Sequence, residues 1–165
     1  MASKLKFVFA GLLALTTLSC WYYSFGGSIP SDIKKIAIPL FDDNTSYPGV
    51  REDLTNMVID AFIANNTLQI ANESDTDLLL TGTILSIREQ AGIVTEGEDV
   101  EQFDVYVTVK AKCENVKTGK VWWEKTLRRF GTMSGTGSQE DQQAAIAVAI
   151  EQITDDMLNN TIANW

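Results

Sequence analysis

The segment Phe103–Cys113, with the sequence Phe-Asp-Val-Tyr-Val-Thr-Val-Lys-Ala-Lys-Cys, decides the fold. Its odd-numbered residues are apolar and its even-numbered residues are polar or tyrosine, which is the two-residue period of a strand buried on one face. The pattern predicts that Lys110 and Lys112 point outward and that Cys113 lies in the core.

The flanking sequence predicts two antiparallel partners for this strand. Leu78–Arg88 is apolar enough to form a strand, and Val121–Phe130 follows a tight turn at 117–119 where Gly119 allows a positive φ. Gln90–Glu101 contains two glycines and four acidic residues, so we expect an exposed hairpin tip there. The three strands together predict a meander, with Gly131–Gly137 as a flexible crossover after it.

Two segments show helical spacing of apolar residues. The first begins at Val50 and ends near Asn65, and the second opens at Ser138, which forms a capping-box pattern with Asp141 and leads a helix to about Asn160. The predicted buried positions are Val50, Leu54, Met57, Val58, Ala61 and Phe62 in the first helix, and Ala145, Ile146, Ala149, Ile150, Ile153 and Met157 in the second.

Two further strands complete the order of elements. Ile33–Phe41 alternates around apolar residues, with Pro39 expected near its end or on an edge, and a short strand is expected at Leu68–Ile70. Two helices with apolar stripes can both be buried on one face of a sheet. The sequence therefore predicts an α+β two-layer sandwich, with two helices packed on one face of a roughly four-stranded mixed sheet, in a single domain spanning 32–165.

The N-terminus has the order of parts of an export signal. Lys4 and Lys6 precede the apolar run Phe7–Leu15, which is too short to span a bilayer, and small residues lead to Cys20. We expect a lipoprotein signal peptide at 1–19, lipidation of Cys20 and a tether at 20–31. A plain secretory signal followed by an ordinary cysteine is the alternative.

Composition excludes several classes of function. Removal of 1–19 leaves 11 basic and 22 acidic residues, a net charge near −11 that argues against a nucleic-acid partner. The chain has no histidine, and neither Cys113 nor the Asp42-Asp43-Asn44 loop fits a catalytic or calcium-binding pattern. We therefore expect no catalytic residues, no metal and no cofactor.

The cations concentrate on the predicted central strands. Lys110, Lys112 and Arg128 point to the same outer face of the sheet if the 117–119 turn sets the register. A positive patch of these residues could contact phosphate or carboxylate groups of a lipid head. Simple solvation, with balance from Glu124 and Asp104, is the alternative. Trp122 and its neighbour Trp123 are expected to point to opposite faces, so that one of them is exposed or covered by another element.

The order of several motifs resembles the LptE family of lipopolysaccharide-assembly lipoproteins. These motifs are Cys20 with Tyr22, Ser24-Phe25-Gly26-Gly27, Ile29-Pro30, Ile33 to Pro39 with Phe41, Asp77 to Ile84, and Thr118 to Trp123, followed by the terminal helix ending near Trp165.

This resemblance implies an outer-membrane lipoprotein, held by its N-terminal lipid, that plugs the LptD β-barrel from the periplasmic side and contacts lipopolysaccharide. The net charge near −11 favours plugging over tight binding of an anionic glycolipid. Ile36–Phe41 with Asn44-Thr45 is also similar to lipoproteins of the curli-secretion and peptidoglycan-synthase-activator type. An envelope enzyme is a third, weaker alternative.

Overall fold

The computed structural model describes residues 29–92, 102–134 and 137–163. Its strands are β1 (Lys35–Ala37), β2 (Asp42–Asp43), β3 (Gln69–Ile70), β4 (Leu78–Ala91), β5 (Gln102–Asn115) and β6 (Lys120–Ser134). The helices are α1 (Val50–Asn65) and α2 (Gln139–Ile162), with a short 3₁₀ turn at Glu73–Asp75.

The strands form one mixed sheet in the order β3-β1-β4-β5-β6, with β2 also pairing with β4. β1 is parallel to β3 and β4, whereas β4, β5 and β6 form the antiparallel meander. The two helices pack on the sheet and against each other. The predicted α+β class is confirmed, with six strands in place of roughly four.

The extra strand arises because the predicted strand at Ile33–Phe41 is divided. Pro39 has no backbone N–H for a ladder hydrogen bond, and the chain runs as β1, then 38–41 outside the ladder, then β2. Phe41 is nevertheless buried, and its backbone N–H donates to Oγ1 of Thr55 in α1 at 3.1 Å. This bond helps fix α1 against the sheet.

Both helices bury the stripes that their spacing predicts. In α1, Met57 and Ala61 are only half-buried, whereas the other predicted positions are in the core. All six predicted positions of α2 are buried. Ser138 caps α2, and its side chain and that of Asp141 exchange hydrogen bonds with each other's backbone N–H, as the sequence predicts.

A β-bulge changes the orientation of the tryptophan pair. Cys113 pairs with Trp123 but Glu114 pairs with Val121, so Trp122 is the additional residue. Both indole N–H groups then donate to Thr161 of α2, from Trp122 to its carbonyl at 3.2 Å and from Trp123 to its hydroxyl at 3.1 Å. The expectation of opposite faces is wrong for this reason, and Val121, next to the bulge, is 50% exposed.

β6 also runs further than predicted, because Gly131 continues the strand instead of opening a flexible crossover. A Cβ built on Gly131 would lie 2.1 Å from the carbonyl oxygen of Ala145 in α2. Only glycine permits this approach of helix to strand. The predicted tip at Gln90–Glu101 lies mostly outside the described residues, and β4 continues to Ala91.

Asp77 ties three elements together at the start of β4. One carboxylate oxygen accepts the backbone N–H groups of Lys34 and Lys35 at 2.9 and 3.0 Å, and the other pairs with Lys117 in the β5–β6 turn. The hydrogen bond from Lys117 and those from the backbone lower the pKa of Asp77 from 3.8 to about 2. The buried Asp77 is therefore a charged structural clamp.

Candidate functional site

The candidate site is the face of the sheet that the helices leave uncovered. In β5, and in β6 beyond Trp122, the even-numbered residues point to this open face. Their odd-numbered neighbours point to the helices, and the apolar ones among them, such as Val107, Val109, Trp123 and Leu127, are buried there. The ladder sets Tyr106 beside Phe130, Thr108 beside Arg128 and Lys112 beside Glu124. Lys110, Lys112 and Arg128 therefore share one face, as their spacing predicts.

Both lysines are paired with carboxylates. Lys110 Nζ lies 2.8 Å from Glu124 Oε1, and Lys112 Nζ contacts Glu114 Oε2. The hydrogen bond from Lys110 lowers the pKa of Glu124, and the hydrogen bond to Glu114 raises the pKa of Lys112. This ion-paired zone, formed by Lys110, Lys112, Glu114 and Glu124, has no net formal charge.

Arg128 has a different environment. Its guanidinium carbon lies 3.9 Å from the centroid of the Tyr106 ring, and its Nη2 donates to Gln90 Oε1 at 3.3 Å. The Tyr106 and Phe130 rings are 5.1 Å apart between centroids. A cation held over an aromatic face is oriented and partly desolvated, and it retains further N–H donors for an anionic group.

The open face therefore has a second part, which we call the cation–aromatic zone and which consists of Leu85, Arg88, Tyr106, Arg128 and Phe130. Arg88 lies directly across the ladder from Tyr106. Leu85 and Phe130 are 40% and 41% exposed. The β4 register shifts between Ile84 and Ser86, which places Leu85 outside the regular alternation.

Sequence reasoning included Arg128 but missed the apolar members of this zone. The alternation of side chains along Phe103–Cys113 already predicts that Tyr106 points outward. A register set by the 117–119 turn would have predicted that Phe130 lies beside it. Leu85 could not have been found in this way, because a bulge leaves no signature in an apolar run.

The structure separates the other strand cations from this face. Lys125 Nζ donates to Asn160 Oδ1 at 2.5 Å, and Arg129 Nη2 lies 2.9 Å from Asp156 of α2. These two residues connect β6 to the helix layer. They do not contribute to a continuous positive patch with Lys110, Lys112 and Arg128.

The helix layer, on the other side of the sheet, is strongly acidic. α1 and α2 together contain eight acidic residues and one basic residue, a formal charge of −7. On the open face, Arg88, Lys110, Lys112 and Arg128 are set against Asp104, Glu114 and Glu124. The helices thus have a large formal negative charge, whereas the cations and carboxylates named on the open face nearly balance.

A groove of about 410 Å³ lies between the two helices. Its floor includes Met57, Ile146 and Ile150, and Asp53 and Asp60 lie at its rim. Because those carboxylates repel anions, the groove is unsuited to a phosphate-bearing lipid. The open face is the better candidate for such a ligand.

Other chemistry finds little support in the described ranges. Burial raises the pKa of the Cys113 thiol to about 12, so it is not a nucleophile at neutral pH. No group of three or more potential metal-binding side chains occurs within 29–92, 102–134 and 137–163. In the same ranges neither helix is long and apolar enough to cross a membrane. Cys20, the predicted lipidation site, lies outside the described residues.

An open sheet face with cations, aromatic rings and exposed aliphatic groups, backed by a helix layer, is typical of a binding and assembly domain. The chain belongs to the LptE family, described as lipopolysaccharide-assembly, whose model matches residues 33–161. The resemblance found in the sequence is thereby confirmed, and the match favours it over the curli-secretion or synthase-activator alternative. No curated protein sequence matches the chain.

Solved structures with a similar fold include three proteins of low identity. XCC0632 from Xanthomonas campestris is 14% identical with a TM-score of 0.58, covering 79% of this chain and 86% of that one. CT253 from Chlamydia trachomatis is 7% identical with a TM-score of 0.59, covering 80% and 99%. A PelC dodecamer from Paraburkholderia phytofirmans is 18% identical with a TM-score of 0.54, covering 84% and 95%. These likenesses support the fold alone.

Proposed function

We propose that this chain is an outer-membrane lipoprotein, acylated at Cys20, that partners and plugs an LptD-type β-barrel and contacts lipopolysaccharide during its assembly. The observation that carries the proposal is the family match over residues 33–161, which takes in nearly all of the folded domain. The family is one of assembly, which agrees with a role other than catalysis.

In this proposal the lipid contacts the open face of the sheet. Lys110, Lys112 and Arg128 provide charge-assisted hydrogen bonds to phosphate or carboxylate groups. Phe130 and Leu85 provide apolar surface beside those cations. An amphiphile that has anionic groups next to hydrocarbon matches this combination, whereas a purely polar anion does not use the apolar part.

The two zones are expected to contribute unequally. Lys110 and Lys112 must give up or share Glu124 and Glu114 before they bind an anion, which offsets much of the gain. Arg128 is held by a ring and an amide, and neither competes for its charge. We expect Arg128→Ala to weaken lipopolysaccharide binding roughly tenfold, and more than Lys110→Ala or Lys112→Ala does.

The barrel partnership is tested by co-purification. The affinity-tagged full chain, expressed in its own cell envelope and extracted in mild detergent, should bring down a large outer-membrane β-barrel, identified by mass spectrometry. The same preparation gives the mass of the mature N-terminus, which should begin at acylated Cys20. Recovery of a peptidoglycan synthase without a barrel would overturn the proposal.

Lipid contact is tested by binding of purified lipopolysaccharide to a matched pair of triple variants. Lys110→Ala/Lys112→Ala/Arg128→Ala removes three cations from the open face. The control Lys34→Ala/Lys120→Ala/Lys125→Ala removes three from other surfaces. Weaker binding by the first triple alone supports the proposed site, whereas equal effects of both triples, or no effect, reject it.

A further inference from the structure

β6 forms one edge of the sheet and is unusually long for an edge strand. It spans Lys120–Ser134, and β5 is its neighbour on one side. Within 29–92, 102–134 and 137–163 no strand pairs with its other side. Edge strands of this length present rows of backbone donors and acceptors and are usually protected.

The hydrogen-bond parity of the meander shows which groups face this free edge. Gly92 N–H donates to the Gln102 carbonyl, so the even-numbered residues at that end of β5 bond toward β4. The backbone N–H and C=O groups of the odd-numbered residues of β5 and β6 therefore bond each other. The backbone groups of the even-numbered residues of β6, beyond the bulge, are directed toward the free edge. The Phe130 carbonyl agrees, since it accepts from Gln152 Nε2 at 3.2 Å.

We propose that this edge pairs with the same edge of a second copy of the chain, antiparallel about a two-fold axis at Thr126. In this register Thr126 lies opposite its own counterpart, and Glu124 lies opposite Arg128 twice. Lys125 lies opposite Leu127. Because Glu124, Thr126 and Arg128 all have outward N–H and C=O groups, the pairing satisfies backbone bonds on both chains.

Charge selects this register over its neighbours. A shift of the axis to Lys125 sets that lysine against itself, and a shift to Leu127 sets Lys125 against Arg129. Axes at Glu124 or Arg128 oppose those residues to their own copies. Like charges directly across a ladder are destabilising and opposite charges are favourable, so among the axes from Glu124 to Arg128 only the one at Thr126 sets no like charges against each other.

The geometry of the helices agrees with a closed pair. A two-fold axis normal to the sheet leaves both helix layers on the same side of a continuous sheet, and the interface is isologous, so the assembly stops at two copies. The inference rests on the sheet edge and does not depend on the proposed partnership with a barrel.

The register is tested by disulfide trapping in the full chain. Thr126→Cys places two thiols opposite each other with Cα atoms about 5.5 Å apart, within disulfide range. Thr132→Cys is the matched control, because it lies six residues from the axis and does not face its own copy. Mild oxidation should give covalent dimers for Thr126→Cys above the background of wild type and Thr132→Cys. Equal yields for both variants, or no dimer above background, would reject the register.

A charge exchange tests the same pairing in solution by sedimentation. Glu124→Arg gives four arginines at the interface of a homodimer and Arg128→Glu gives four glutamates, so each should dimerise at least roughly tenfold more weakly than wild type. A mixture of the two variants restores both opposite-charge pairs and should dimerise again. If the variants sediment like wild type, or the mixture stays monomeric, the proposal is wrong.

Discussion

Replacement of Asp77 tests how a single buried carboxylate joins the sheet. Asp77→Asn keeps an oxygen that can accept the N–H groups of Lys34 and Lys35, but it removes the charge that faces Lys117. Asp77→Ala removes both functions. Lys117→Gln removes the cation alone and is the matched control for the ion pair.

The magnitudes follow from the contacts. The difference between a pKa of 3.8 and one of about 2 corresponds to roughly 2 kcal/mol. The Lys117 side chain is 67% exposed, so solvent screening reduces the loss expected for Asp77→Asn to about 1–2 kcal/mol. Asp77→Ala leaves two backbone donors without their acceptor, and we expect about 2–4 kcal/mol. Lys117→Gln should cost less than Asp77→Asn, because the lysine side chain is largely exposed.

The pH dependence has a defined sign. Because folding lowers the pKa of Asp77, its charge stabilises the fold fully above pH 3.8, and this contribution is lost as pH falls toward 2. The free energies of unfolding of wild type and Asp77→Asn should therefore differ at pH 7 and pH 5 and converge near pH 2. Urea denaturation followed by tryptophan fluorescence measures both. A difference that stayed constant down to pH 2 would refute the clamp as an electrostatic element.

Two other substitutions test the attachment of α2 to β6. Gly131→Ala should lower the free energy of unfolding by about 3 kcal/mol, since the added methyl group would meet the Ala145 carbonyl. A midpoint of urea unfolding within error of wild type would contradict that close approach. Thr161→Val should lower the free energy of unfolding by about 1–3 kcal/mol, because the Trp123 indole N–H loses its buried acceptor. An unchanged midpoint of urea unfolding together with unchanged tryptophan fluorescence would show that another group accepts this N–H.

The parts of the fold that the sequence predicts are those in which one face is buried and the other is not. Phe103–Cys113 could be assigned to a strand with the correct orientation, because one slip of register would expose every valine of the segment. The capping box at Ser138 and the apolar stripe of α2 are equally local signals. Strand alternation, with the register set by the 117–119 turn, also predicted that Lys110, Lys112 and Arg128 lie on one face.

The differences arise where backbone geometry departs from the regular period. A bulge adds one residue without changing composition, so the inward orientation of Trp122 and the outward position of Leu85 had no sequence signal. Pro39 marked a strand end, but the second short strand beyond it depends on pairing with β4, which is a tertiary contact.

The distribution of charge, rather than its sum, decides whether this chain can bind an anionic lipid. A net charge of −9 for the whole chain argues against such a ligand only if the charge acts evenly over the surface. Here the helices have a formal charge of −7 and pack on the other face of the sheet. A ligand on the open face would lie nearer to Arg88, Arg128 and the paired lysines than to the helix carboxylates, and salt, with a screening length of about 8 Å, weakens the more distant interactions. In the proposed function, the acidic helix layer favours contact of an anionic lipid with the open face over contact with the helices, and the net charge alone does not decide against such a ligand.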